Sequence, residues 1–168
     1  ASRSFWFRFF TRLVVSQAER LTTVSKSLGE DMNALVTKKM YSVISNVVDT
    51  RLFAYKAPVS KQPFRFIHIS NMIPLKNIQG IIDTAEMLWA RRRDFTVTIV
   101  GQISQVYHDL AAQKGLLDLV IFFKGIVPYE QVASEISEAH ALIIFSDTES
   151  QSCVVLESLC CGRPAIVT

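Results

Sequence analysis

The 168-residue sequence contains no apolar run near the roughly 18 to 20 residues needed to cross a bilayer, and no signal-peptide pattern. A membrane span is not expected. Cysteine is scarce: Cys153, Cys160 and Cys161 are odd in number and crowded into one segment, which is poor material for a disulfide framework and fits a reducing, cytoplasmic setting. Charge of one sign is also lacking. Eighteen Lys and Arg against 15 Asp and Glu leave +3, and the only basic run, Arg91-Arg92-Arg93, sits where a helix would end and has no interleaved aromatics. No nucleic-acid partner is implied. Hydrophobic residues make up 49% and charged residues 20%, values of an ordinary folded domain.

What is present is periodicity. The start, Ser4-Phe5-Trp6-Phe7-Arg8-Phe9-Phe10, reads as a helix packed on a neighbouring domain, with peripheral contact at the inner face of a membrane as the alternative. Arg20 to Val24 reads as a strand, and Ser25 as the N-cap of a helix to about Lys38. A short strand is expected over Tyr41 to Ile44. Residues 46–63, with turn residues Asn46, Asp49, Pro58 and Pro63, read as a linker. From Phe64 on, strand-length apolar runs alternate with helical spacing: Phe64 to Ser70, Phe95 to Val100, Val120 to Phe123, Ala141 to Ser146 and Ala165 to Val167. Between them lie a helix striped by Ile78, Ile81, Ile82, Ala85, Leu88 and Trp89, and weaker helices over Ile103 to Lys114, Tyr129 to Glu138 and Ser152 to Cys161. The fold class is α/β, a Rossmann-like parallel sheet with helices on both faces.

Ligands of such sheets bind beyond the carboxyl ends of the strands, where helix N-termini offer N–H groups to anions. Four loops qualify: Asn71 to Asn77, Gly101 to Ser104, Gly125 to Pro128 and Asp147 to Ser152. In the last, Glu149 lies in the loop and Glu157 in the early turns of the next helix, with small Ser150 and Ser152 between. Carboxylates accept paired sugar or ribose hydroxyls, and the intervening helix start suits a phosphate. Two glutamates at this spacing are weak evidence alone. Gly101 and Gly125 suit either close ligand approach or simple turns. His68, His108 and His140 have no partners at metal-ligand spacing and read as structural, so no metal ion and no other cofactor is expected.

The register around those glutamates resembles the group 1 (family 4) retaining glycosyltransferases, whose signature runs Ser-x-x-Glu-Gly-Phe-Gly into Leu-Glu-Ala-Met-Ala-x-Gly-x-Pro-Val-Ile. Ser146, Glu149, Leu156, Glu157, Gly162, Pro164 and Ile166 match it. So do Ile44 to Phe53 with the inter-domain Asn-Gly-Val-Asp-x-x-x-Phe, Phe66 to Lys76 with a strand, loop and Lys, Ile99-Val100-Gly101 with a Val-Gly strand end, and Ile121 to Val127 with Val-x-Phe-x-Gly-x-Val. The resemblance covers roughly residues 20 to 168.

It implies the C-terminal half of a two-domain GT-B enzyme, cut short after the Pro-Ala-Ile-Val strand and inactive alone. Residues 1–45 would end an acceptor-binding domain, 46–63 link, and 64–168 bind a nucleotide-diphosphate sugar for transfer to a glycan or lipid-linked acceptor in polysaccharide biosynthesis. It implies catalytic roles for Glu149, on the transferred sugar, and Lys76, on the diphosphate. Donor contacts would come from Glu157 on the ribose, the backbone of Ser152, Cys153 and Val154, and Asn71, Gly101 and Val127. The family commonly has Gly-Arg where this sequence has Ser70-Asn71, so one expected cation is missing, and Lys124 or Arg163 is expected to compensate or diphosphate binding to be weaker. That gap leaves a noncatalytic nucleotide-sugar-binding domain as the alternative. A nucleotide-sugar epimerase of the same architecture fits less well.

Overall fold

The structure is a computed structural model describing residues 5–58 and 62–168; Ser4 and the part of the expected linker at 59–61 lie outside the described residues. The chain divides into two compact units, with the boundary between Val47 and Val48.

The first unit carries helix α1 (Phe5–Gln17), strand β1 (Thr22–Thr23), helix α2 (Lys26–Leu35) and strand β2 (Ser42–Val43), the two strands pairing in parallel. Ser25 caps α2: its backbone is extended, and its hydroxyl accepts the Leu28 N–H at 3.2 Å. α1 leaves Phe5, Trp6, Phe7 and Phe10 more than half exposed, and Arg12 donates to the Val36 carbonyl.

The second unit holds β3 (Phe64–Ile69), a 3-10 turn (Pro74–Lys76), α3 (Ile78–Trp89), β4 (Phe95–Val100), α4 (Gln105–Gln113), β5 (Ile121–Gly125), α5 (Tyr129–Glu138), β6 (Ala141–Ile144), α6 (Cys153–Cys160) and β7 (Ala165–Val167). All five strands are parallel, in the order β5-β4-β3-β6-β7. Successive strand residues point to opposite faces. Phe66, Val97, Ile99, Ile121 and Ile143 therefore meet α3 and α4, while Ile67, Val100, Leu142 and Ile144 form the opposite layer with Val154 and Val155 of α6. In α3, Ile78, Ile81, Ile82 and Ala85 are fully buried, each isoleucine contributing roughly 1.5–3 kcal/mol. The interdigitated helices and parallel sheet make this unit Rossmann-like.

Several expected bounds shift: the strand expected over Arg20 to Val24 is Thr22–Thr23, the helix expected to about Lys38 ends at Leu35, and the strand expected over Val120 to Phe123 is Ile121–Gly125. The helix expected over Ile103 to Lys114 spans Gln105–Gln113, because Ser104 holds the extended N-cap. The strand expected to reach Ser146 ends at Ile144. Residues 48–58 of the expected linker pack within the second unit: Asp49 accepts the Leu52 and Phe53 amides through its carbonyl, and Phe53, 1% exposed, is buried against α5.

Candidate functional site

Strand order reverses direction at β3: one chain path runs outward through β4 and β5, the other through β6 and β7. The loops leaving β3 and β6 therefore sit at the topological switch point, the place where open parallel sheets bind ligands. Here those loops are joined, since the Asp147 N–H donates to the Leu75 carbonyl at 2.9 Å.

The first loop brings Lys76 to the end of a 3-10 turn. Its position follows from Asn77, which adopts φ 45° and ψ 52°, closes that turn, and caps α3 by accepting the Gly80 N–H at 3.0 Å. From the second loop Glu149 reaches back. Its Oε1 pairs with Lys76 Nζ and accepts the Ser146 hydroxyl at 3.0 Å. Both side chains are largely covered, 21% exposed for lysine and 28% for glutamate, so the pair is less screened than an ordinary surface bridge.

Beneath the pair a relay fixes the first loop. His68 is fully buried; its Nδ1–H donates to the Ile143 carbonyl at 2.8 Å, which leaves Nε2 to accept the Ser70 hydroxyl at 2.8 Å. Ser70 Oγ in turn accepts the Met72 N–H at 3.1 Å. Met72 stands at φ 54°, a left-handed backbone that costs a non-glycine residue roughly 1–2 kcal/mol. Burial pushes the His68 pKa down, Lys76 adds to that, and the Ile143 bond opposes it. The imidazole is thus held in its neutral form, the form the relay requires.

Gly101 closes the adjacent loop for a packing reason. At φ 143° it lies so close to β3's end that a Cβ would sit 1.9 Å from the Ser70 carbonyl oxygen. Gly125, at φ 78°, faces open space.

α6 starts behind Glu149. Ser152 is its extended N-cap and makes no side-chain bond to the helix end, and the first N–H groups of the helix, from Cys153 and Val154 onward, have no intrahelical acceptor. Cys153 is exposed, and the side chain of Val154 packs into the apolar layer. One turn further, Glu157 is 7% exposed and its Oε1 accepts the Tyr129 hydroxyl at 2.9 Å. Burial raises the Glu157 pKa above the usual carboxylate range, with the Tyr129 bond acting against it. Burial and that bond push the Tyr129 phenol up to about 12.

The loops after β3 and β6 thus bring Lys76 and Glu149 together, and α6 carries Glu157, Ser152, Cys153 and Val154. Asn71 is exposed on the first loop, and Val127 packs half-buried under α5 and α6. Both cations expected to compensate have partners of their own. Lys124 Nζ is held by both oxygens of Glu135 at 2.6 Å. Arg163, 2% exposed, donates to the carbonyls of Lys56, Ala57 and Ser137 and ties the segment before β3 to α5. Sequence reasoning missed Tyr129. Its partner lies 28 residues away, and the only local signal is an aromatic at the first position of a helix that follows a Gly-x-Val-Pro loop.

Residues 51–168 match the family model of the glycosyl transferases group 1, and the chain belongs to that family. A curated relative, N-acetyl-alpha-D-glucosaminyl L-malate synthase of Bacillus anthracis, is 25% identical over 167 residues, covering 94% of this chain and 43% of its own length. Among solved structures, HepE of Anabaena in complex with UDP and glucose superposes with a TM-score of 0.82 at 17% identity, over 98% of this chain and 48% of that one. TarM of S. aureus, crystallised with Fondaparinux, alpha-GlcNAc-glycerol and UDP, gives 0.81 at 19% identity, over 95% of this chain and 31% of that one. The chain spans less than half the length of these relatives, and the parallel sheet matches the C-terminal domain of GT-B glycosyltransferases.

Proposed function

We propose that this chain is the donor-binding half of a retaining glycosyltransferase that moves a sugar from a nucleoside-diphosphate carrier to a hydroxyl acceptor. The observation that carries the reading is the convergence of Lys76 and Glu149 at the switch point, in front of the start of α6. A diphosphate seated on the α6 N–H groups gains charge as the glycosidic bond breaks, and Lys76 stabilises that charge more in the transition state than in the ground state. Glu149 orients hydroxyls of the transferred sugar, and Glu157 accepts ribose hydroxyls. The uridine carrier is the preferred candidate, since HepE and TarM were crystallised with UDP. Residues 1–45 are then the tail of an acceptor-binding domain, and the exposed aromatics of α1 supply a surface for packing within it or for touching a membrane.

The test uses the full protein with UDP-glucose and UDP-N-acetylglucosamine and a hydroxyl acceptor, following the anomeric proton of the product by NMR. Transfer with the donor's configuration kept is expected. Inversion would sink the retaining mechanism, and failure to bind any nucleoside diphosphate would sink the site. Exposed Asn71, with Lys124 and Arg163 both committed elsewhere, favours one second reading: a domain that binds donor without turnover. Saturable donor binding with neither transfer nor hydrolysis is its signature.

A further inference from the structure

Tyr129 is the first residue of α5, directly after the loop that leaves β5, and Glu157 belongs to α6. The tyrosine residue is 54% exposed, yet its hydroxyl end turns inward to Glu157 Oε1, and its ring lies 5.5 Å from that of Phe53, which is itself buried. The phenol is therefore held from two sides, by an aromatic neighbour behind the ring and a carboxylate in front of the oxygen.

A buried carboxylate with a free side-chain rotor would meet a pair of ribose hydroxyls in many orientations. Glu157 does not have that freedom. One acceptor direction on Oε1 is taken by a fixed donor, which leaves its remaining lone pairs, chiefly those on Oε2, in one orientation for a ligand. Fixing an acceptor before the ligand arrives raises affinity by removing an ordering cost, and it sharpens discrimination because a ligand lacking the matching donor leaves a buried acceptor unsatisfied.

We propose that Tyr129 is a positioning residue that aims Glu157 at the ribose hydroxyls and so makes this site select ribonucleotide over deoxyribonucleotide carriers. The proposal rests on the reading of Glu157 as a ribose contact, and the experiment separates the two.

Calorimetric titration of the full protein with UDP, ADP and GDP identifies the best carrier, which is then compared with its 2′-deoxy and 3′-deoxy forms. The wild type is expected to prefer the ribonucleotide about tenfold. Tyr129→Phe keeps the ring on Phe53 and removes only the hydroxyl; a single cooperative urea transition with an unchanged slope checks that the fold is kept, whatever the shift in its midpoint. In that variant ribonucleotide affinity is expected to fall roughly five- to tenfold while deoxynucleotide affinity barely changes, so the preference collapses to about twofold or less. A variant that loses affinity for all carriers equally, or that keeps the wild-type preference, overturns the positioning role while leaving the site standing. A wild type that binds carriers but ignores the ribose hydroxyls overturns both the role of Glu157 and that of Tyr129. No carrier binding at all overturns the site reading itself.

Discussion

The amide of Asp147 donates to the carbonyl of Leu75 across 2.9 Å, and this backbone bond ties the loops after β3 and β6 into a single ledge at the switch point. On that ledge Lys76 and Glu149 neutralise one another. Under the proposed donor-binding reading a diphosphate competes with Glu149 for the lysine, so the two charges have opposite expected effects on nucleotide binding.

Lys76→Ala is expected to weaken nucleoside diphosphate binding by about 1–3 kcal/mol, the range for a charged hydrogen bond. Glu149→Gln is expected to do the reverse for the bare diphosphate, raising its affinity several-fold by releasing Lys76, while slowing sugar transfer. Calorimetry with UDP, paired with a transfer assay, reads both. Equal weakening by both variants would refute competition for the lysine.

Glu157 makes a pH prediction. Its pKa is raised by burial, so between its ordinary value and its raised value the folded chain binds more protons than the unfolded one, and stability falls as pH rises through that window. Above that window the burial of Glu157 therefore carries a cost. Glu157→Gln, whose amide oxygen still accepts from Tyr129, is expected to raise the urea midpoint at pH 7 and to leave it nearly unchanged at pH 4, while ribonucleotide affinity drops by about 1–3 kcal/mol. A lower midpoint at pH 7 would contradict the sign.

Two glycines separate packing from approach. Gly101→Ala places a Cβ against the Ser70 carbonyl, which forces the β3 loop to move; a loss of about 2–4 kcal/mol in urea denaturation is expected, together with weakened nucleotide binding. Gly125→Ala meets nothing within 4 Å, and only backbone strain of about 1–2 kcal/mol is expected. Similar costs at both positions would argue against the close contact.

Arg163→Met removes a buried guanidinium and orphans the carbonyls of Lys56, Ala57 and Ser137. A loss of about 3 kcal/mol or more is expected by chemical denaturation, with UDP affinity of the folded protein unchanged. Weakened binding without destabilisation would return Arg163 to the phosphate site.

The elements most legible in the sequence were those with the fewest competing demands. Phe95–Val100 is apolar or β-branched throughout, because both faces of a central parallel strand are covered, and Tyr129–Glu138 shows one apolar face bounded by Pro128. The end of β6 was not legible: Phe145 and Ser146 look like further strand, yet Ser146 turns its hydroxyl to Glu149, and nothing in a one-dimensional pattern distinguishes those uses. Arg163 misled for a related reason. Arginine is rarely fully buried, so a basic residue near an anion site reads as a ligand until the carbonyls around it are seen. Glu149, Glu157 and Lys76 were picked out by register, but their partners Ser146, Tyr129 and the His68 relay depend on contacts between strands and helices distant in sequence.

That relay sets when the loop acquires its order. Ser70 Oγ holds the Met72 amide in its left-handed backbone, and the buried His68 of β3, bonded to Ile143 of β6, holds Ser70, so the start of the loop that ends in Lys76 is tied to the sheet. In the proposed reading, part of the loop's ordering cost is then met during folding, and an arriving ligand competes with Glu149 for a lysine whose backbone is already set.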